Sequence, residues 1–262
     1  MPAETLPATI EVTTLGQFTV RRGGLLLPET VWGRASARRL FQYLLTFPGR
    51  FVARERLIAE LWPVQAQERA ARDFKVALNA LHRALEPERA ARARPVFVAR
   101  QGSSYGLNPE ALLWLDAQQF EAGLAAAAAL ESSSVAQARA RYEAALTLYG
   151  GEFLPDALYE EWTTLRREQL SALFLSGATR LAQLLENAGE ALAVELWCRR
   201  ILALDRCWEA AYRLLMRAHS SLGNRPQAIR TYEQCRQALD EELGIPPLRE
   251  TQRLFEEIVA AA

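Results

Sequence analysis

Cysteine is scarce in this 262-residue chain, and the three that occur, Cys198, Cys207 and Cys235, form no Cys-x-x-Cys pair and have no neighbouring pair of histidines. A disulfide framework and a structural zinc site are both excluded by that spacing, and reduced thiols are the economical reading. Long apolar runs are missing too. The longest, Gly123 to Leu130, falls far short of the ~20 residues that span a bilayer. The start, Met1-Pro-Ala-Glu-Thr5, has neither the basic nor the apolar region of a secretory leader. A cytoplasmic protein without a membrane partner is expected. Lysine is nearly absent: of 31 basic residues only Lys75 is not arginine, a bias that fits a GC-rich genome better than a chemical need. The sequence contains no phosphate-binding glycine loop and no cluster of metal-ligating residues, so no cofactor and no enzymatic activity are expected.

One apparent catalytic motif does not survive its context. Gly102-Ser-Ser-Tyr-Gly106 matches the nucleophile elbow of hydrolases, with His82 or His219 as nominal bases. The elbow needs a helix directly after the serine turn. Here the chain continues Leu107-Asn-Pro109, which breaks a helix.

The formal net charge is zero, but the zero conceals a division. Residues 1 to 109 carry 16 basic and 9 acidic side chains, a surplus of seven positive charges, and residues 110 to 262 carry 15 and 22, the equal and opposite surplus. A basic front and an acidic rear suggest that one part meets a polyanion while the other serves a different purpose. The alternative is drift between two unrelated domains.

Within the basic front, residues 67–85 read as one amphipathic helix. Phe74, Leu78, Leu81 and Leu85 recur at i, i+4, i+7 and i+11 and form a single apolar stripe. At about 100° per residue, Arg69, Arg72, Lys75, Val76, Asn79 and Arg83 gather roughly opposite it. Such a face is either a solvated charged surface or a reader of double-stranded DNA. Cations meet phosphates and guanine edges, an asparagine pairs with an adenine edge, and valine touches a thymine methyl.

The flanking segments favour the second reading. Residues 10–27 hold short β-prone runs broken by Arg22-Gly-Gly24, a hairpin signal. A helix is expected from Ser36, as its cap, through Leu40, Phe41, Leu44 and Leu45 to Pro48-Gly49, and another from Arg54 to Leu61, ended by Trp62-Pro63. After the amphipathic helix, residues 95–107 form two β-prone runs around a Gly/Ser turn, with Arg100 and Gln101 at its tip. A small sheet, three helices and a terminal hairpin make a winged helix-turn-helix, in which the third helix enters the major groove and the hairpin reaches the backbone or a neighbouring groove.

From Asp116, a plausible helix cap, the chain reads as helical throughout, with Ser132 to Ser134 starting a second helix and one long helix from Asp156 to Asn187. Ala138/Tyr142, Ala193/Trp197 and Ala228/Tyr232 each place a small residue one turn before an aromatic. The last two align at a spacing of 35, as do Asp205 and Asp240. That period is the tetratricopeptide pattern of stacked helix pairs, with Gly189 and Gly223 marking turns within pairs. The expected fold class is therefore mainly α with a small β component: a winged helix-turn-helix at 1–112, then an all-α tetratricopeptide-like array at 113–262.

Five stretches, in this order, carry a resemblance over about residues 10–258. They are Pro48-Gly-Arg-Phe-Val-Ala-Arg-Glu-Arg-Leu-Ile-Ala-Glu-Leu-Trp-Pro63; Glu68-Arg-Ala leading into Val76-Ala-Leu-x-x-Leu-x-Arg-Ala-Leu85; Arg100-Gln-Gly-x-x-Tyr-Gly-Leu107; Tyr149-Gly-Gly-Glu-Phe-Leu-Pro155; and Leu239-Asp-Glu-Glu-Leu-Gly-Ile-Pro-Pro247. Together they resemble the Streptomyces antibiotic regulatory protein family, an OmpR-like winged helix joined to a bacterial transcriptional activator domain. The resemblance implies a transcription activator that binds direct repeats, often as a homodimer on DNA, and recruits RNA polymerase, with the loop from Trp62 to Gln67 as the candidate polymerase contact. Three positions depart from it. Ala53 stands where a hydroxyl often caps the second helix, and Ala80 and His82 stand where relatives commonly carry arginine. A protein-interaction scaffold, with the winged helix turned to protein contacts, is the competing reading.

Overall fold

A computed structural model describes residues 9–90 and 92–260. These residues are mainly helical, with two small sheets among them. By internal contacts the chain forms two compact units, and neither is one continuous stretch. The first comprises the residues up to Gln119 together with Gly150–Glu168; the second comprises Phe120–Tyr149 and the residues from Gln169 onward. The chain passes between them three times, where the sequence reading draws a single border after residue 112.

In the first unit β1 (Ile10–Thr13), β2 (Thr19–Arg22) and β3 (Leu25–Leu26) form an antiparallel run. Gly23 and Gly24, both at positive φ (+55° and +81°), make the two-residue turn between β2 and β3, the handedness that matches strand twist. A 3₁₀ turn (Glu29–Trp32) leads into α1 (Ala35–Thr46). Then come β4 (Val52–Ala53), α2 (Arg54–Leu61), α3 (Gln67–Leu85), the hairpin β5 (Val98–Gln101) and β6 (Ser104–Leu107), and β7 (Leu113–Leu115). The last strand pairs parallel with β1, and β4 completes a three-stranded sheet with the hairpin. Neither β4 nor β7 is expected from sequence; at two and three residues they are too short to show a period.

Ser36 does not cap α1, contrary to expectation. The helix begins at Ala35, behind Arg34 in extended conformation, with no side-chain cap. Tertiary packing sets the start: Trp32 lodges against Phe18 and Phe41, and Gly33 at φ +63° turns the chain into the helix. The core beneath is formed by Leu40, Phe41, Leu44, Leu57, Phe74 and Leu81, all essentially inaccessible.

Two features close this unit over long sequence distances. Asp116, at the start of α4 (Asp116–Leu130), accepts hydrogen bonds from the Thr14 and Leu15 amides, the Thr14 hydroxyl and the Ala117 amide, all within 2.9 Å. Burial pushes its carboxyl up, and those donors oppose the shift. The segment after Tyr149 lies alongside the β1–β2 loop: Gly16 N donates to Glu152 O at 2.9 Å and Leu154 N to Thr14 O at 2.8 Å. A Cβ on Gly16 would fall 2.6 Å from the Gly150 carbonyl, so the close approach requires glycine there. The Gly150-Gly151 pair on the other side is held as closely: a Cβ on Gly150 would lie 3.0 Å from Leu15 O and one on Gly151 3.1 Å from the Gly16 Cα.

The second unit contains most of α4, α5 (Val135–Thr147), α6 (Glu161–Asn187) from Gln169 on, α7 (Ala191–Leu204), α8 (Glu209–Ser221), α9 (Arg225–Leu243) and α10 (Arg249–Ala260). Consecutive helices from α7 to α10 pack on one another. Ser134 caps α5 through the Gln137 amide, as the serine run suggests. Ala138 and Ala228 are fully buried, Tyr142 and Trp197 nearly so, and Tyr232 stacks on Phe255 at 4.1 Å. Gly189 and Gly223 turn the chain at φ +75° and +70°.

Two expectations are corrected. The helix drawn from Asp156 begins at Glu161, because Pro155–Ala157 is a 3₁₀ turn entered from Leu154 at φ +49°. The strand-like contact of Leu15 with Phe153 has to be released into the helix there. The alignment of Asp205 with Asp240 also ends in different roles. Asp205 terminates α7, whereas Asp240 lies inside the longer α9.

Candidate nucleic-acid interface

Helix α3 spans Gln67–Leu85, the bounds its amphipathic pattern suggests. Phe74, Leu78, Leu81 and Leu85 are all buried. Phe74 packs edge-on against Trp62 at 6.3 Å and Tyr105 at 5.2 Å, holding the helix between the end of α2 and the wing. Arg69, Arg72, Lys75, Val76, Asn79 and Arg83 are all exposed. They lie within an arc of about 120° at ~100° per residue. Among the described residues none of these four cations is engaged in an ion pair, and Asn79 makes no side-chain hydrogen bond.

The same geometry explains the two departures on this helix. Ala80 and His82 fall about 80° to either side of the centre of the exposed arc, at its borders. Both are buried. Burial and the nearby Arg89 push the His82 imidazole down to about 4, against a backbone hydrogen bond to Val98 that raises it. At neutral pH it is uncharged, and its Nε2 has no hydrogen-bond partner among the described residues. Toward its C-terminal end α3 sinks into the unit, with Ala80, Leu81, His82, Ala84 and Leu85 buried and only Arg83 still exposed. The accessible face runs from Arg69 to Asn79, with Arg83 beyond it, and includes the N-terminal turns that a recognition helix presents to base edges.

On the wing, Arg100 and Gln101 are exposed on β5 beside the Gly102-Ser103 turn. Arg100 is not a free cation: its Nε donates to Gly102 O at 2.7 Å and its guanidinium lies over Tyr105 at 5.8 Å. Backbone contacts fix the wing to the segment from Arg50 to the start of α2. Arg54 N donates to Ser103 O at 3.0 Å, and a Cβ on Gly106 would meet the Arg50 carbonyl at 2.6 Å. The serine of the apparent hydrolase motif, Ser104, sits on β6 in a strand–turn–strand context, without the elbow that chemistry requires.

Sequence reasoning misses the aromatic support, in which Tyr105 sits between Phe74 and Arg100. The signal would have been the only tyrosine of the hairpin, facing the same side as the apolar stripe of α3. In the loop after α2, Val64 is 96% exposed. Among the described residues no group of three or more His, Cys, Asp and Glu side chains is placed to hold a metal, and no helix is long and apolar enough to cross a membrane.

The comparisons agree with this architecture. No curated protein matches the sequence. The solved structure of Mycobacterium tuberculosis EmbR in complex with a low affinity phosphopeptide is similar at a TM-score of 0.78 and 23% identity. The match covers 97% of this chain and 65% of that one, so the chain spans less than two thirds of its structural neighbour. Residues 115–259 match the bacterial transcriptional activator domain. With a winged helix ahead of that domain, the chain belongs to the bacterial transcriptional activator domain family, in the arrangement of the Streptomyces antibiotic regulatory proteins.

Proposed function

We propose that this transcriptional regulator is a sequence-specific DNA-binding activator, with a winged-helix domain at 1–112 and an activator domain at 113–262. Helix α3 reads the major groove. Arg72, Lys75, Asn79 and Arg83 make the principal contacts, Arg69 and Val76 flank them, and Arg100 and Gln101 on the wing meet the backbone or an adjacent groove. The observation that carries this reading is the exposed arc of α3: four cations, an amide and a valine, with no ion pair or side-chain hydrogen bond among the described residues, on a helix whose other face is packed. Binding to direct repeats, as a homodimer on DNA, and recruitment of RNA polymerase belong to the same reading. The exposed Val64 in the Trp62–Gln67 loop is the candidate polymerase contact.

The test begins with operator duplexes selected from a random pool by the full chain, followed by fluorescence anisotropy over a salt series. Asn79→Ala is expected to relax preference at one base step and to cost about 1–3 kcal/mol on the selected site. Lys75→Ala is expected to weaken binding to every sequence alike and to reduce the salt slope by about one. If both variants bind the selected operator as the parent does, α3 is not the reading element. If the full chain shows no salt-sensitive duplex binding at all, the protein-scaffold reading takes its place.

A further inference from the structure

Tyr105 links the wing to helix α3. It lies on the middle strand of the three-stranded sheet, opposite Val52 of β4 on one side and Arg100 of β5 on the other. Its ring meets Phe74 of α3 edge-on at 5.2 Å, and the Arg100 guanidinium lies over the same ring at 5.8 Å. A cation in that place is attracted by the negative face of the ring. The Arg100 Nε is spent on Gly102 O at 2.7 Å, whereas no carboxylate pairs with Arg100 among the described residues. Its charge is left for an external anion, but its direction is set from two sides.

That direction decides between two uses of a wing arginine. One that reads a minor groove enters it with the side chain extended away from the wing. Arg100 would first lose both its Nε bond and the ring. One that meets a phosphate needs only its terminal nitrogens in a constant place. Among the described residues those are the atoms that the tether leaves without a partner. We propose that Tyr105 is a positioning residue, which holds Arg100 in constant register with α3 so that the guanidinium grips one backbone phosphate and reads no base. This inference rests on the DNA reading of α3 and gives the wing its part in it.

Fluorescence anisotropy of the full chain, on the selected operator and on a shuffled duplex of equal length over a salt series, tests the assignment. Arg100→Ala is expected to weaken both duplexes alike, roughly tenfold, and to lower the salt slope by about one. Tyr105→Leu should weaken both about threefold. Tyr105→Phe, which keeps the ring, should bind as the parent does. The double variant Tyr105→Leu with Arg100→Ala should bind no more weakly than Arg100→Ala alone. A ring that only packed against Phe74 would instead lower the preference for the operator and add its cost to that of Arg100→Ala. Arg100→Lys keeps the charge but lacks the Nε and the planar fork, so it should still lose about threefold at an unchanged salt slope. Its position is exposed, and it tests the proposal even if Tyr105→Leu does not fold. Additive losses in the double variant, a loss confined to the operator in Arg100→Ala, a loss in Tyr105→Phe as large as in Tyr105→Leu, or parent-like binding by Arg100→Lys would each overturn the assignment and leave the DNA reading of α3 in place. A parent chain without salt-sensitive duplex binding would remove both.

Discussion

Arginine is used differently in the two units. In the helical unit most arginines are engaged: Arg139 meets Glu190 at 2.8 Å, Arg180 meets Glu131 at 2.8 Å, Arg217 meets Glu186 at 2.5 Å, and Arg200 donates to the Leu146 and Tyr149 carbonyls. On α3 of the winged-helix unit, Arg69, Arg72, Lys75 and Arg83 have no carboxylate partner among the described residues. The zero net charge hides this, because a tally of charge does not distinguish a cation neutralised by its neighbour from one left to meet an external anion. The surplus matters functionally only where geometry leaves it unpaired.

That contrast can be broken at several points. The largest effect is expected from Phe74→Ala, which removes the ring packed between Trp62 and Tyr105 and should cost about 3–5 kcal/mol in urea unfolding. A loss below about 1 kcal/mol would mean that α3 is not held by that stripe. Asp116→Ala leaves the Thr14 and Leu15 amides buried without an acceptor and should cost about 3 kcal/mol. An unchanged unfolding midpoint would show that the β1–β2 loop is held by other contacts.

A pH effect of similar size is expected from His82. Its folded value of about 4 lies below the ordinary 6.5, so between these two the unfolded chain binds more protons than the folded one. Stability is then full above about pH 6.5 and falls, by up to about 3 kcal/mol, as pH drops through 4. Thermal melts from pH 7 to 4 should show the loss, and His82→Phe should flatten it; an equal slope in the variant would place the titration elsewhere. The smallest effect is expected in the helical unit. Arg180→Ala breaks a largely exposed pair and should cost only about 0.5 kcal/mol. A cost several times larger would mean that the rear arginines hold the array together, and the two units would then differ less than their geometry suggests.

How much of this was legible in advance depends on the range of the interaction. The α3 bounds, the exposed arc and the glycine turn at Gly23-Gly24 are consequences of local period and backbone sterics, and the chain order shows them directly. The start of α1 is not written locally, because it is set by Trp32 against Phe18 and Phe41, which no local cap rule contains. The start of α6 depends on residues 152–154 being held by residues 14–16, more than a hundred positions away. Strands β4 and β7 leave no local signal, because strands of two or three residues exist only through their partners.

Periodicity and composition alone determined that a cationic helix face exists, that helix pairs follow it, and that the chain is mainly α. Tertiary structure alone decided which residues remain outside. It buried Ala80 and His82 at the borders of that face and tethered Arg100 over Tyr105. The physical reason is that a helical period assigns each side chain an angle, while accessibility depends on what packs at that angle, and those neighbours come from distant parts of the chain.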